Sequence, residues 1–220
     1  MINVSRIASS VGVSAGTYTG YEAYYTGITG QSYTGEEVDA SSANKLEKVV
    51  YTGMSSTPYS SVEQDYIGGA VVDTIYDFTK VTGASYDAYQ VEESAGGALI
   101  QTTYDLNNGG HAIVGAENGL TITSIGNDGM TGGGSGETFV FNPIFGADKI
   151  ADFAAHDSGA GHDTISLSTA DFANFAAVKA AAADAGSNVV IKAADGDALT
   201  LVGLNVTTLA GLSADFTFHS

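Results

Sequence analysis

The stretch "GNDGMTGGGSGETFVF", Gly126 to Phe141, sets clustered glycines beside only two acidic residues, Asp128 and Glu137, and closes on an apolar run with strand character. A turn that wraps its own carbonyl oxygens around a hard cation needs positive backbone φ angles and close backbone approach, which glycine permits at least cost. One carboxylate per turn then completes the shell. Placing Asp128 at the sixth position of a nine-residue unit gives "TSIGNDGMT", Thr123 to Thr131. The next unit, "GGGSGETFV", Gly132 to Val140, puts Glu137 in the same place, with Met130 and Phe139 at the apolar eighth position.

Outward from this stretch the chain has two compositions. All 12 Tyr lie between Tyr18 and Tyr104, whereas eight of the nine Phe lie at or beyond Phe139. The polar, glycine-rich "DLNNGGH", Asp105 to His111, marks the junction, giving a repeat region over 1–108 and a second region over 109–220. In the first region Tyr33, Tyr59 and Tyr86 recur at spacings of 26 and 27, each followed four residues later by Glu37, Glu63 or Gln90. Within each unit a β-prone run, "LEKVVY", "VVDTIY" or "LIQTTY", ends on tyrosine. Such a period predicts one hairpin per unit, stacked on its neighbours, with the tyrosines as a repeated packing position.

The second region alternates short apolar runs with glycine turns through "HAIVGAENG", "LTITSIGNDG" and "TFVF". A helix is predicted over "STADFANFAAVKAAAADAGSN", with Ser168 or Thr169 as N-cap, Phe172, Phe175 and Val178 on one face, and Gly186 as its stop. A hairpin across Asp195-Gly196 follows, and "LSADFTFHS" reads as a short strand.

With 7 basic against 25 acidic residues and a net charge of -18, the chain repels nucleic acid and anionic lipid and attracts cations. It has no Cys, which excludes disulfides and thiolate metal sites. No run approaches the ~20 apolar residues of a membrane span, and "MINVSRIASSVGV" lacks the apolar core of a secretory signal.

The order of landmarks from Gly126 to Phe218 resembles the end of a repeats-in-toxin (RTX) roll and the C-terminal domain of type I secreted proteins. The landmarks are "GGGSGETFVF", "GADKIADF", "GHDTISLS", the predicted helix, "DGDALTLVGL" and "LSADFTF". The nonapeptides follow the RTX pattern G-G-x-G-x-D-x-U-x of a calcium-binding parallel β-helix. The resemblance implies calcium near Asn127, Asp128 and Glu137, with Asp148 and Asp152 of "GADKIADF" and Asp163 as further ligands. It also implies export by the type I secretion machinery to an extracellular or cell-surface location. Thr123, Ser124 and Ser135 replace pattern glycines, and Glu137 replaces Asp with a side chain one methylene longer.

"HDSGAGHD", His156 to Asp163, gathers two His, two Asp and a Ser, but no H-E-x-x-H helix is present, and the segment reads as a glycine-rich acidic turn. Neither a nucleophile elbow nor a phosphate loop occurs, so no catalytic residue is assigned. The expected fold is mainly β: stacked β-hairpin repeats, then a short parallel β-roll and a β-rich C-terminal domain with one helical segment. The expected role is that of a secreted, calcium-binding, non-catalytic surface, matrix or adhesive protein. Its expected partners are itself, as homo-oligomer or filament, and a cell-surface or polysaccharide ligand. The alternative is a secreted ligand-capture protein or small enzyme with a pocket in the repeat region.

Overall fold

The computed structural model describes the backbone of residues 5–14, 17–26, 28, 30–41, 46–156 and 161–220, and the side chains of these from 26 onward except 41 and 46. It is 49% strand and 8% helical, which makes the protein mainly β. The chain forms two compact units, Met1–Leu99 and Ile100–Ser220.

In the first unit β1 (Ser5–Ser14), β2 (Thr17–Thr26), β3 (Gly35–Ser41), β4 (Leu46–Thr52), β5 (Ser61–Ile67), β6 (Ala70–Thr79) and β7 (Tyr86–Ser94) each pair antiparallel with the next. The sequence repeat is therefore a hairpin, and the hairpins join edge to edge in one sheet. Gly68-Gly69 joins β5 to β6, with φ of 64° and 88°. Two successive positive φ angles define the turn whose twist suits a two-residue hairpin, and glycine adopts them without strain.

Strand periodicity sorts the side chains. Tyr51, Val62, Tyr76 and Val91 stand in register across β4 to β7 on one face. Val50, Glu63, Ile75 and Glu92 form the adjacent row on the other face, followed there by Lys48, Asp65, Asp73 and Ser94. One face is aromatic and aliphatic; the other is acidic. The tyrosine repeat packs as expected: Tyr33 lies on Tyr51 and Tyr59 on Tyr76, at ring-centroid distances of 4.6 and 5.1 Å. Phe78 stacks on Tyr89 at 4.3 Å.

The second unit comprises β8 (Leu99–Leu106), β9 (His111–Gly115), β10 (Thr121–Thr123), β11 (Asp128–Thr131), β12 (Thr138–Phe141), β13 (Ala147–Ile150) and β14 (Thr164–Ser168). Then come α1 (Phe175–Ala181), β15 (Ala182–Ala185), β16 (Asn188–Lys192), β17 (Ala198–Leu201), α2 (Val206–Leu209) and β18 (Phe216–His219). The composition boundary at 108/109 falls in the turn between β8 and β9, which pair antiparallel. From β9 to β14 the chain alternates between two parallel layers, one in the order β9-β11-β13-β17 and the other β10-β12-β14-β18. This is a parallel roll, and each nonapeptide is half a coil.

Because the two nonapeptides feed opposite layers, their eighth residues meet in the middle. Met130 stands in register with Ile113 and Ile150, and Ile150 with Leu201. Facing them, Phe139 pairs with Ile165, and Ile165 with Phe216. Met130, Phe139, Ile150, Ile165 and Leu201 are wholly buried. At roughly 1.5–3 kcal/mol for each fully buried large side chain, these ladders are the dominant favourable contribution to the unit.

The Asp195-Gly196 turn joins β16 to β17, and "FTFH" is β18, both as expected. The helix differs from expectation at both ends. Ser168 caps a turn, its Oγ accepting the Ala170 N–H, and α1 starts only after Asn174, whose side chain accepts the Ala177 N–H. It stops at Ala181, because residues 182–185 pair with β16 instead of continuing the alanine run. A backbone ladder to a strand already in place outweighs helix propensity worth only tenths of a kcal/mol per residue. Phe172, expected on one helix face with Phe175 and Val178, precedes α1; it and Val178 are buried, and Phe175 packs on Phe216 at 5.0 Å. No helix among the described residues is long and apolar enough to cross a membrane.

Candidate metal-binding carboxylates

The roll places an acidic residue at or next to the start of six of its strands: Asp128 on β11, Glu137 before β12, Asp148 on β13, Asp163 before β14, Asp197 before β17 and Asp215 before β18. All six are buried. Burial of so many carboxylates is costly unless their oxygens find donors. Most find them in the backbone of neighbouring glycine turns.

Asp128 Oδ2 accepts the N–H groups of Ile125 and Gly126 at 2.7 and 3.1 Å, and its Oδ1 lies 2.8 Å from His111 Nδ1. Asp163 Oδ1 accepts from Gly136 and Glu137, and its Oδ2 from Ala154. Asp152, on the exposed side, accepts from Gly132 and Gly133. Asp197, which sequence reasoning did not single out, accepts from Phe145 and Gly146 at 2.8 and 3.0 Å. Asn127, exposed and at φ 57°, accepts the Ala147 N–H through Oδ1. These side chains fill concave clusters of backbone N–H groups, and charge-assisted hydrogen bonds hold successive coils together.

Among the described residues of this unit, five buried side-chain oxygens have no hydrogen-bond partner: Ser124 Oγ, Glu137 Oε2, Asp148 Oδ2, Asp171 Oδ2 and Asp215 Oδ1. Asp148 Oδ1 accepts the Asp128 N–H at 2.7 Å. Burial pushes the Asp148 carboxyl up to about 6, opposed by that N–H and by the nearby Ser124 hydroxyl, which completes no hydrogen bond by geometry. Glu137 is pushed up to about 7, first by burial and then by Asp163 beside it. The extra methylene of Glu137 is accommodated by Gly132 and Gly134: a Cβ on Gly132 would lie 3.0 Å from Glu137 Cγ, and one on Gly134 2.9 Å from Glu137 Oε1.

Of the six ligands expected from sequence, the structure therefore brings Asp128 to Asp148 and Glu137 to Asp163, while Asp152 and Asn127 tie separate turns. Two further groups converge. Carboxylate oxygens of Asp171, Asp195 and Asp197 lie within 4.8 Å of one another, and burial, followed by Asp195 and Asp197, raises the Asp171 carboxyl above its ordinary range. Ring nitrogens of His156 and His162 converge on Asp215. Of the acidic turn read over His156 to Asp163, residues 157–160 lie outside the described residues. Nothing local in sequence pointed to Asp215 or Asp197, since each reaches its turn from more than fifty residues away: His156 N–H to Asp215 spans 59 positions and Phe145 N–H to Asp197 spans 52.

No protein-family model, no curated protein and no solved structure matches this chain.

Proposed function

We propose that this is a secreted, calcium-binding, non-catalytic surface or matrix protein with an adhesive role, exported by the type I secretion machinery. The observation that carries the reading is the pair of buried, unpartnered carboxylate oxygens on Glu137 and Asp148, each beside a second carboxylate at a glycine turn of a parallel roll. A hard divalent cation neutralises such pairs and takes oxygen ligands, carboxylate and carbonyl alike. The net charge of -18 favours the same partner. In the first unit, the aromatic face of the sheet is the surface proposed to adhere or self-associate.

The test is a calcium titration of the chelated protein, followed by far-UV circular dichroism and melting temperature. Calcium at ten times its dissociation constant adds about 1.4 kcal/mol per site. At about 2–4 °C per kcal/mol, two sites raise the melting temperature by roughly 6–11 °C. An unchanged melting curve sinks the reading. Export is checked by removing Leu212–Ser220 from the chain in a host with the secretion machinery: undiminished export would overturn the proposed route.

A second reading has its own observation. Two shallow clefts open on the aromatic face, one lined by Pro58, Tyr59, Tyr76, Phe78 and Val91, the other including Tyr33, Tyr51 and Met54. Tyrosine rings with free edges suit a sugar or other flat polar ligand. Saturable one-to-one binding of an oligosaccharide would favour capture, whereas calcium-triggered assembly would favour adhesion.

A further inference from the structure

Besides the carboxylate pairs, the roll holds one donor set of a different chemical kind. His156 Nδ1 and His162 Nε2 are 3.4 Å apart, and each lies 3.7 Å from Asp215 Oδ1. Asp215 has no solvent exposure. Its Oδ2 is fixed by the His156 N–H at 2.8 Å, while its Oδ1 has no hydrogen bond and faces the two imidazoles. A carboxylate buried this deeply requires a compensating positive partner at the unpaired oxygen.

We infer that His156, His162 and Asp215 form a binding site for a single divalent transition ion of the zinc class. The donors decide the class, because imidazole nitrogen suits zinc, copper or nickel, whereas calcium takes oxygen alone. The spacing narrows it. For metal–ligand bonds of about 2.0–2.1 Å, tetrahedral geometry sets donors about 3.3–3.4 Å apart and octahedral neighbours about 2.8–3.0 Å apart. The observed edges of 3.4, 3.7 and 3.7 Å match the tetrahedron. Asp215 is anchored at the back, His162 is half-buried and His156 is exposed, so the fourth position opens to solvent or to a donor from another molecule. The Asp215 backbone N–H bonds to Leu212 O at 3.0 Å, which holds the carboxylate in place before any ion arrives. The inference goes beyond calcium binding and stands without it.

The experiment uses the full chain in excess calcium, so that oxygen-only sites are occupied, with zinc added as the probe. Calorimetry is expected to show one zinc per chain, absent in the double variant His156→Ala, His162→Ala. Nitrogen-15 spectra of the unmutated protein supply a readout that does not depend on a variant folding. Zinc is expected to shift Nδ1 of His156 and Nε2 of His162, and to leave His111 and His219 in place. Zinc uptake unchanged in the double variant would overturn the assignment. So would unshifted His156 and His162 resonances at saturating zinc, which would mean the imidazoles only hydrogen-bond each other. Loss of the calcium response with zinc binding intact would overturn the proposed function and leave this site standing.

Discussion

The two units solve the same compositional problem differently. The first is a single antiparallel layer whose pairings join strands adjacent in sequence, and most of its described side chains are only half-buried. The second closes two parallel layers on a continuous core, and its pairings reach from β13 to β17 and from β14 to β18 across about fifty residues. Carboxylates follow the same division. In the first unit they line one face of the sheet half-buried, with Asp65 opposite Asp73, its carboxyl raised by burial and then by Asp73, and with Lys48 bridging to Glu63 at 2.7 Å. In the second they turn inward, where backbone N–H groups or a cation must replace water. An acidic residue is thus a surface device in one unit and a structural ligand in the other.

The largest test of this contrast compares core truncations. Phe139→Ala should cost about 3–5 kcal/mol in chemical denaturation of the second unit. Tyr76→Ala, on the half-open sheet, should cost well under half as much; equal costs would show that the first unit has a hidden core.

A smaller effect concerns pH. Glu137 and Asp148 have folded-state carboxyls raised above their ordinary values, to about 7 and about 6. The folded state therefore binds protons more tightly than the unfolded chain, and stability falls as pH rises from about 4 through those values. With a chelator present, the second unit's melting temperature should drop between about pH 4.5 and 7.5. Glu137→Gln together with Asp148→Asn should flatten that slope and gain about 1–2 kcal/mol at pH 8, while removing most of the response to calcium. A slope that survives both substitutions would assign it to other groups.

Gly134→Ala ranks next, at about 1–3 kcal/mol of destabilisation, since the new Cβ would stand 2.8 Å from the Glu117 carbonyl oxygen. The smallest change is expected for Lys48→Ala. Its bridge to Glu63 is part-exposed and worth no more than about 1 kcal/mol, read as a shift in denaturation midpoint that shrinks further in high salt.

What the sequence disclosed was local and periodic. Nine-residue spacing set Met130 and Phe139 facing inward and put Asp128 and Glu137 at strand starts. The tyrosine period returned as hairpins with repeated ring pairs, and the Asp195-Gly196 turn appeared where its residues demand it. What stayed hidden was long-range. Ala182–Ala185 reads as helix by propensity and is strand because β16 lies alongside. Asp197 and Asp215 look like ordinary turn and strand-edge acids until the fold lays them against amides more than fifty residues upstream. His156 and His162 were visible as a pair, but a pair of imidazoles becomes a candidate ion site only when a third donor arrives, and Asp215 comes from more than fifty residues on, beside β18, which the fold pairs with β14.

The uneven distribution of rings has a practical consequence. Of the 12 tyrosines, all but Tyr104 belong to the first unit, and the chain has no tryptophan. Phenol emission and near-ultraviolet ellipticity, strengthened by the contacts of Tyr33 with Tyr51 and Tyr59 with Tyr76, therefore report almost wholly on the sheet. The roll is nearly dark at those wavelengths. Its melting can be followed by backbone signal in the same cuvette, so an intact, unlabelled molecule carries its own two-colour assay for which half yields first.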